Sequence, residues 1–259
     1  MHKKDYPILE FDQSKEAIIE PSKIIKRINI PEHCVLACLY DVIDKLVENK
    51  KTKFLHNIET EAGLFPVYEI QAYDKPLAVV NPGVGAPFVA AVLEELIALG
   101  CRKFIACGGA GVLQKDILRG EVVIVNSAIR DEGTSYHYLP PAREVNVSQK
   151  VVETIENTLQ RHSIKYIVGK TWTTDGLYRE TKDKIALRKS EGCLTVEMEG
   201  AAFLAVSKFR NVDFGQMLYA GDDVSGEKWD QRYCDQKASH REKLFWLAAE
   251  ACLSLIDRE

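Results

Sequence analysis

The stretch Leu194-Thr195-Val196-Glu197-Met198-Glu199-Gly200-Ala201-Ala202-Phe203 sets two carboxylates around a methionine, where an extended, β-branched run passes into an apolar, helix-prone one. Alternate side chains of a strand face opposite sides, so Glu197 and Glu199 share a side and Met198 takes the other. Acidic side chains at such a junction have a plain structural use, because negative charge is favourable at a helix N-terminus. They also have a chemical use, since a carboxylate can grip neighbouring hydroxyl groups. What lies on either side of the stretch decides between the two.

Working outward, apolar runs of strand length alternate with amphipathic helical ones. Residues 34–39 are an apolar run, and Val42, Ile43, Leu46 and Val47 after it recur at helical spacing. Lys50-Lys51-Thr52-Lys53 reads as a solvated turn, and residues 64–70 and 77–80 as strands joined through Tyr73-Asp74-Lys75-Pro76. Asn81-Pro82-Gly83-Val84-Gly85-Ala86-Pro87 then opens a helix over 88–99. Glycines at a strand-to-helix turn allow close backbone approach, and a helix start offers free N–H groups to an anion, which makes Gly83 and Gly85 candidates for a phosphate or water pocket. A strand at 103–107 runs into Gly108-Gly109-Ala110-Gly111, read as a second glycine turn that adds Gly108 and Gly109 to that pocket. Its spacing is not the dinucleotide fingerprint.

Further strands are expected near 120–125, 166–169 and 214–220, and helices at 148–162 with Ser148 as N-cap, at 183–189, through 209, and at 238–256. The polar, aromatic segment 128–140 is long for a loop, which points to function, with His137 a weaker candidate within it. Trp172, just past a strand end, is a candidate stacking platform. Residues 1–31, interrupted by Pro7, Pro21 and Pro31, read as an N-terminal arm. The alternation predicts an α/β fold, a single domain over 1–259 built on a central mixed, mostly parallel sheet flanked by helices.

Composition narrows the partners. A net charge of −4 over 259 residues gives no basic face for nucleic acid, and no run of about 18 apolar residues suggests a membrane span. The seven cysteines, including Cys234, show no zinc-binding spacing, so no metal is expected and they read as small buried hydrophobes of a reducing cytoplasm. The N-terminus carries no apolar core of a signal peptide.

With two glycine-rich turns, the aromatic Trp172 and Asp222 each following a strand, the chain resembles the nucleoside phosphorylase family over about residues 34–256. Val196-Glu197-Met198-Glu199-Gly200-Ala201 is the strongest match, Gly83-Val84-Gly85-Ala86-Pro87 and Cys107-Gly108-Gly109-Ala110-Gly111 are similar to the family's glycine turns, and Asp222 falls at the catalytic aspartate of purine-cleaving members. The resemblance implies a distorted, barrel-like sheet and a ribose clamp in which Glu199 holds the hydroxyls, Met198 packs on the sugar and Glu197 lines the site. It implies that Trp172 and Leu177 contact the base, and that Asp222 protonates it as it leaves, its pKa raised by burial or by Asp223. Pyrimidine-cleaving relatives carry a glutamine and arginine pair where this chain reads Leu177-Tyr178-Arg179-Glu180, so a purine nucleoside is the favoured substrate. A homo-oligomer, dimer or hexamer, is also implied.

The departures bear on the nucleophile. Where phosphorolytic relatives carry a glycine and an arginine after the first strand, this chain reads Ala37-Cys38-Leu39-Tyr40-Asp41, and Ala106 stands in place of a second arginine. No cofactor is implied beyond inorganic phosphate as a co-substrate. The first reading is phosphorolysis to base and ribose 1-phosphate, with Arg130, Arg143 or Lys53 replacing the missing cations. The alternatives are a nucleosidase using water and a non-catalytic nucleoside-binding protein. The Lys228-Trp229-Asp230-Gln231-Arg232 segment reads as a lid whose Arg232 pairs with Asp222.

Overall fold

The computed structural model describes residues 2–233 and 237–256. After a 3-10 turn at Pro7–Leu9, the chain forms α1 (Pro21–Ile24), β1 (His33–Ala37), α2 (Tyr40–Glu48), β2 (Thr52–Thr60), β3 (Gly63–Ala72), β4 (Lys75–Val80), α3 (Ala86–Leu99) and β5 (Lys103–Val112). It continues through β6 (Val122–Asp131), β7 (Glu144–Asn146), α4 (Gln149–Arg161), β8 (Tyr166–Thr174), α5 (Lys182–Ser190), β9 (Cys193–Glu197), α6 (Gly200–Arg210), β10 (Asp213–Asp223) and α7 (Lys237–Leu253).

The continuous apolar runs exist because their strands lie between two helical layers, with no face left for water. On β1, Val35 and Ala37 face a cluster with α2, α4 and α7, while Cys34 and Leu36 face one with α3 and α6. On β5, Ile105 and Cys107 point to the first layer, Phe104 and Ala106 to the second. Five cysteines are buried as expected, Cys38 is half-buried, and Cys234 lies outside the described residues. Among the described residues no helix is long and apolar enough to cross a membrane.

The expected α/β architecture is present, with a closed core. β5, β10, β6, β8 and β9 pair in a ring, and β1, β4, β3 and β2 extend from β5 as a wing. The pairings are parallel for β1–β4, β1–β5, β5–β10, β6–β8 and β8–β9, and antiparallel elsewhere. β10 follows one edge of β5 from Lys103 to Val112. The other edge is shared: β1 takes Lys103–Cys107 and β9 takes only Gly111 and Val112. Gly108, Gly109 and Ala110 therefore face no strand on that edge, and the wall of the ring is open there.

Several boundaries differ from the sequence reading. Gly108–Gly111 is the second half of β5, not a turn. Its glycines serve packing: a Cβ on Gly109 would fall 2.7 Å from the Tyr219 phenol of β10. Residues 128–131 complete β6 instead of opening a loop, residues 170–174 complete β8, and the supposed turn at Thr52 begins β2. Ser148 does precede α4, but its hydroxyl caps nothing. The arm of residues 1–31 is fastened through Glu20, which pairs with Arg210 of α6 at 3.0 Å, while Arg210 also binds Glu94 of α3 at 2.7 Å.

Helix α4 lies so close to the ring that a Cβ at Gly215 would stand 2.7 Å from Val151, 2.8 Å from Ile105 and 2.9 Å from Ile155. Gly215→Ala is expected to cost about 1–3 kcal/mol by overpacking, read as a lower urea midpoint at an unchanged m-value.

Candidate active site

The stretch that opens the sequence argument turns out to divide its two carboxylates between tasks. Glu197, the last residue of β9, is buried and points at the start of α6. Its Oε2 accepts the N–H groups of Glu199 at 2.8 Å and Gly200 at 2.6 Å and the Gln216 amide at 3.3 Å, and its Oε1 accepts the Thr173 hydroxyl at 2.5 Å. Thr173 itself takes the next helix N–H, from Ala201, at 2.9 Å. Free N–H groups at a helix start demand such partners. Glu197 supplies them from two residues before the N-cap position, which Glu199 occupies without using its side chain on the helix. A side chain at 200 would stand 2.6 Å from Gln216 and 3.0 Å from the Glu197 carboxylate, so that position is glycine.

Glu199 is left free to face a cavity of about 670 Å³. Its Oε1 accepts the Gly85 N–H at 2.8 Å and its Oε2 the Met198 N–H at 3.2 Å. Burial, and then the charge of Glu197, push its pKa up to about 7. Burial also raises Glu197, against the hydrogen bonds it accepts.

The cavity lies along the open edge of β5. At one end, Gly108 lies against Cys38, its Cβ place 3.2 Å from the Cys38 Cβ. The Cys38 thiol is raised well above the usual range, first by burial and next by the Glu199 charge. At the other end, Gly111 faces Asp222 of β10, with a Cβ place 3.7 Å from Oδ2. Three residues of strand separate these ends by about 10 Å. Glu180 joins the Asp222 end, and burial followed by the charge of Asp222 pushes its pKa up to about 7. Arg119 and Trp229 complete that end, with Arg119 donating to the Gln231 carbonyl at 2.8 Å and the Trp229 indole to Asp222 at 2.6 Å.

Glu199, Met198, Glu197, Asp222, Leu177 and Gly109 all line this cavity. Trp172 does not, and its expected stacking role is corrected. Thr173 points inward to Glu197, so its neighbour on the strand points outward. Trp172 is fully buried there, its indole donating to Asp131 at 3.0 Å and its ring covered by the Arg188 guanidinium at 5.3 Å. Gly83 and Gly85 offer no free N–H groups, because these go to Asn81 at 3.0 Å and to Glu199. Gly108 borders the open edge without lining the cavity.

The proposed cations lie elsewhere. Arg130 is buried and donates to Ser135, Leu139 and Pro140, Arg143 pairs with Glu191, and Lys53 lies 3.6 Å from Glu69. His137 borders a separate cavity beneath the N-terminal arm. Arg232 pairs with Asp223 at 2.6 Å, not with Asp222. Adjacent strand residues face opposite ways, so Asp223 turns from the cavity. Burial would raise Asp223, but hydrogen bonds from Ser225 and the Arg232 charge hold it below the usual range. Sequence reasoning missed Glu180, Cys38 and Arg119. Glu180 directly follows the Leu177-Tyr178-Arg179 run, and its polar neighbours give no signal of burial beside Asp222.

A sequence profile of the phosphorylase superfamily matches residues 34–250. The chain belongs to that superfamily. It is 31% identical over 156 residues to a uridine phosphorylase of Treponema pallidum, an alignment covering 56% of this chain and 60% of that relative. The chain thus spans less than two thirds of that relative's length. Purine nucleoside phosphorylase of Toxoplasma gondii, solved with immucillin-H, superposes with a TM-score of 0.74 at 18% identity over 86% of this chain and 91% of its own. AMP nucleosidase of Bacteroides thetaiotaomicron gives 0.70 at 20% identity over 87% and 89%. These likenesses show the fold: the α/β architecture and closed ring of this superfamily member are shared with both.

Because Glu199 holds its proton more tightly in the folded chain than in the unfolded one, its contribution favours folding below the unfolded value near 4.5 and fades as pH rises through about 7. Glu199→Gln is therefore expected to be more stable than the native protein at pH 8, with the gap closing by pH 5. Urea midpoints at the two pH values, about one unit above and two below that pKa, check this.

Proposed function

We propose that this superfamily member cleaves the N-glycosidic bond of a purine nucleoside with water as the attacking group. One observation carries the reading: charge is segregated along the open edge of β5. Glu199 stands at the Gly108 end, Asp222 and Glu180 at the Gly111 end, and among the described residues lining the cavity the one cation, Arg119, contacts the Gln231 carbonyl beside Asp222 and Trp229. Arg241 acts on the Cys38 thiol from α7, but it is committed to Asp41 at 2.6 Å. A phosphate dianion at the Gly108 end would meet a carboxylate and, among the described residues lining the cavity, no guanidinium, losing the charge-assisted contacts such an ion needs. At the N-cap of α3 the Gly85 N–H is likewise taken, by Glu199 itself.

The same charges suit a sugar. An ionised Glu199 accepts hydrogen bonds from the vicinal hydroxyls, and its charge favours the oxocarbenium-like sugar as the bond stretches. The base, about 10 Å along the strand, meets two carboxyls. Glu180 keeps a proton near neutral pH, and Asp222 beside it passes that proton on to purine N7, so the base leaves neutral. The water oxygen joins C1′ as the bond to the base nitrogen breaks, and the proton it sheds replaces the one given to the base. An arrangement this committed to a leaving group argues for catalysis over simple binding.

Incubation with a panel of nucleosides, with and without phosphate, is expected to release free purine base and ribose without phosphate. Release only with phosphate would show a phosphorylase instead, and release of uracil alone would overturn the purine preference. Glu199→Gln is expected to lower kcat/KM by about 10²–10³-fold and Asp222→Asn by about 10²–10⁴-fold.

The pH profile of kcat/KM should be a narrow bell. Its rising limb near 7 follows ionisation of Glu199, and its falling limb, also near 7, follows loss of the Glu180 proton. Glu180→Gln should abolish the falling limb alone; a profile unchanged by that substitution rules out Glu180 as the proton holder.

A further inference from the structure

A second cavity, of about 520 Å³, lies under the N-terminal arm against α3 and α6, and it shares no lining residue with the first. Its size suits a small organic molecule. One wall is apolar and uncovered: Ile19 and Ile24 of the arm line the cavity, yet are 75% and 67% open to solvent. Opposite the arm stands Phe209 at the end of α6, with the Lys15 ammonium 4.1 Å from its ring centroid.

Most charges here already have partners. Arg210 binds Glu94 at 2.7 Å and Glu20 at 3.0 Å, Glu16 pairs with Lys23 at 2.7 Å, and Lys15 donates to the Phe209 carbonyl at 3.2 Å. The exposed Asp12 accepts the Ser14 N–H at 2.8 Å. Glu95 of α3 is the exception. It lines the cavity half-buried, has no hydrogen-bond or ion-pair partner among the described residues, and is raised in pKa by burial alone. A carboxylate drawn partly from water with nothing to compensate it is stabilised by any cation that reaches it.

We propose that this cavity binds a small organic cation, an amine or amidine on an apolar body, whose charged head pairs with Glu95 and whose body covers Ile19 and Ile24. Charge and shape agree on that class. An anion would meet Glu95 with Lys15 and Arg210 already engaged, and a hydrated metal ion would leave the isoleucines uncovered. The ligand bridges the arm and α3, since the isoleucines belong to one and Glu95 to the other. The site does not depend on the reaction proposed for the cavity of Glu199 and Asp222.

Benzamidine and hexylamine are the probes, with benzoate as the control of opposite charge. Calorimetric titration is expected to show both cations binding and benzoate not, and Tm should rise as either cation is added. Glu95→Gln, which removes a charge that no described residue pairs with, should weaken both cations by about 10- to 150-fold. Ile24→Ser should weaken hexylamine by about 4-fold for each CH₂ equivalent left uncovered. Carboxylates of the first cavity also attract cations, and Asp222→Asn separates the two sites: affinity is expected to stay native in that variant. Failure of both cations to bind, benzoate binding as tightly as benzamidine, native affinity in Glu95→Gln, or lost affinity in Asp222→Asn would each overturn the assignment.

Discussion

A buried carboxylate at a helix start underlies the rest of the structure. Glu197 takes the first N–H groups of α6, the Thr173 hydroxyl from β8 and the Gln216 amide from β10, so one side chain joins two other strands of the ring to the helix that follows its own. A charge so placed is tolerable only because donors surround it. It has a consequence two residues on, where a second carboxylate must ionise beside it. The raised proton affinity of Glu199 comes first from burial and then from this charge, so part of the electrostatics of the cavity is inherited from how α6 is begun.

How far this was legible in the sequence depended on whether direction mattered. The apolar runs of β1 and β5 could be recognised because both faces of those strands are covered, leaving no polar position to interrupt them. β2 escaped notice because only Ile58 along it is buried, so an edge strand of lysine, histidine and threonine reads as a solvated turn. Gly108–Gly111 misled for the opposite reason: glycine usually weakens a strand, and the demand that overrode this is the Tyr219 phenol, which belongs to a strand far away in sequence. Trp172 and Trp229 show the same limit among site residues. Trp172 lies within β8, where the alternation that points Thr173 at Glu197 sends it into the core, whereas Trp229 follows β10 and lines the cavity.

The two carboxylates of the opening motif were thus read correctly as a pair and incompletely as individuals. The structural reading, negative charge at a helix start, describes Glu197. Glu199 instead faces the cavity, where the functional reading would put a ligand. Arg130, Arg143 and Lys53 do not replace the missing cations, since each satisfies a local carbonyl or carboxylate. An arginine visible in a sequence carries no label for the partner that will claim it.

The edge of β5 that β10 follows also orders events in time. Lys103 of β5 pairs with Asp213 of β10, 110 positions later, and that parallel seam closes the ring. Bringing such distant segments together must precede any reward from their contacts, which makes closure a late and slow step of folding. The cavity has no existence before it, because Asp222 is delivered by the same strand. A chain leaving the ribosome therefore holds Glu197, Glu199 and the glycines of β5 for some time with no site between them, and acquires the whole site in a single event when its last strand docks.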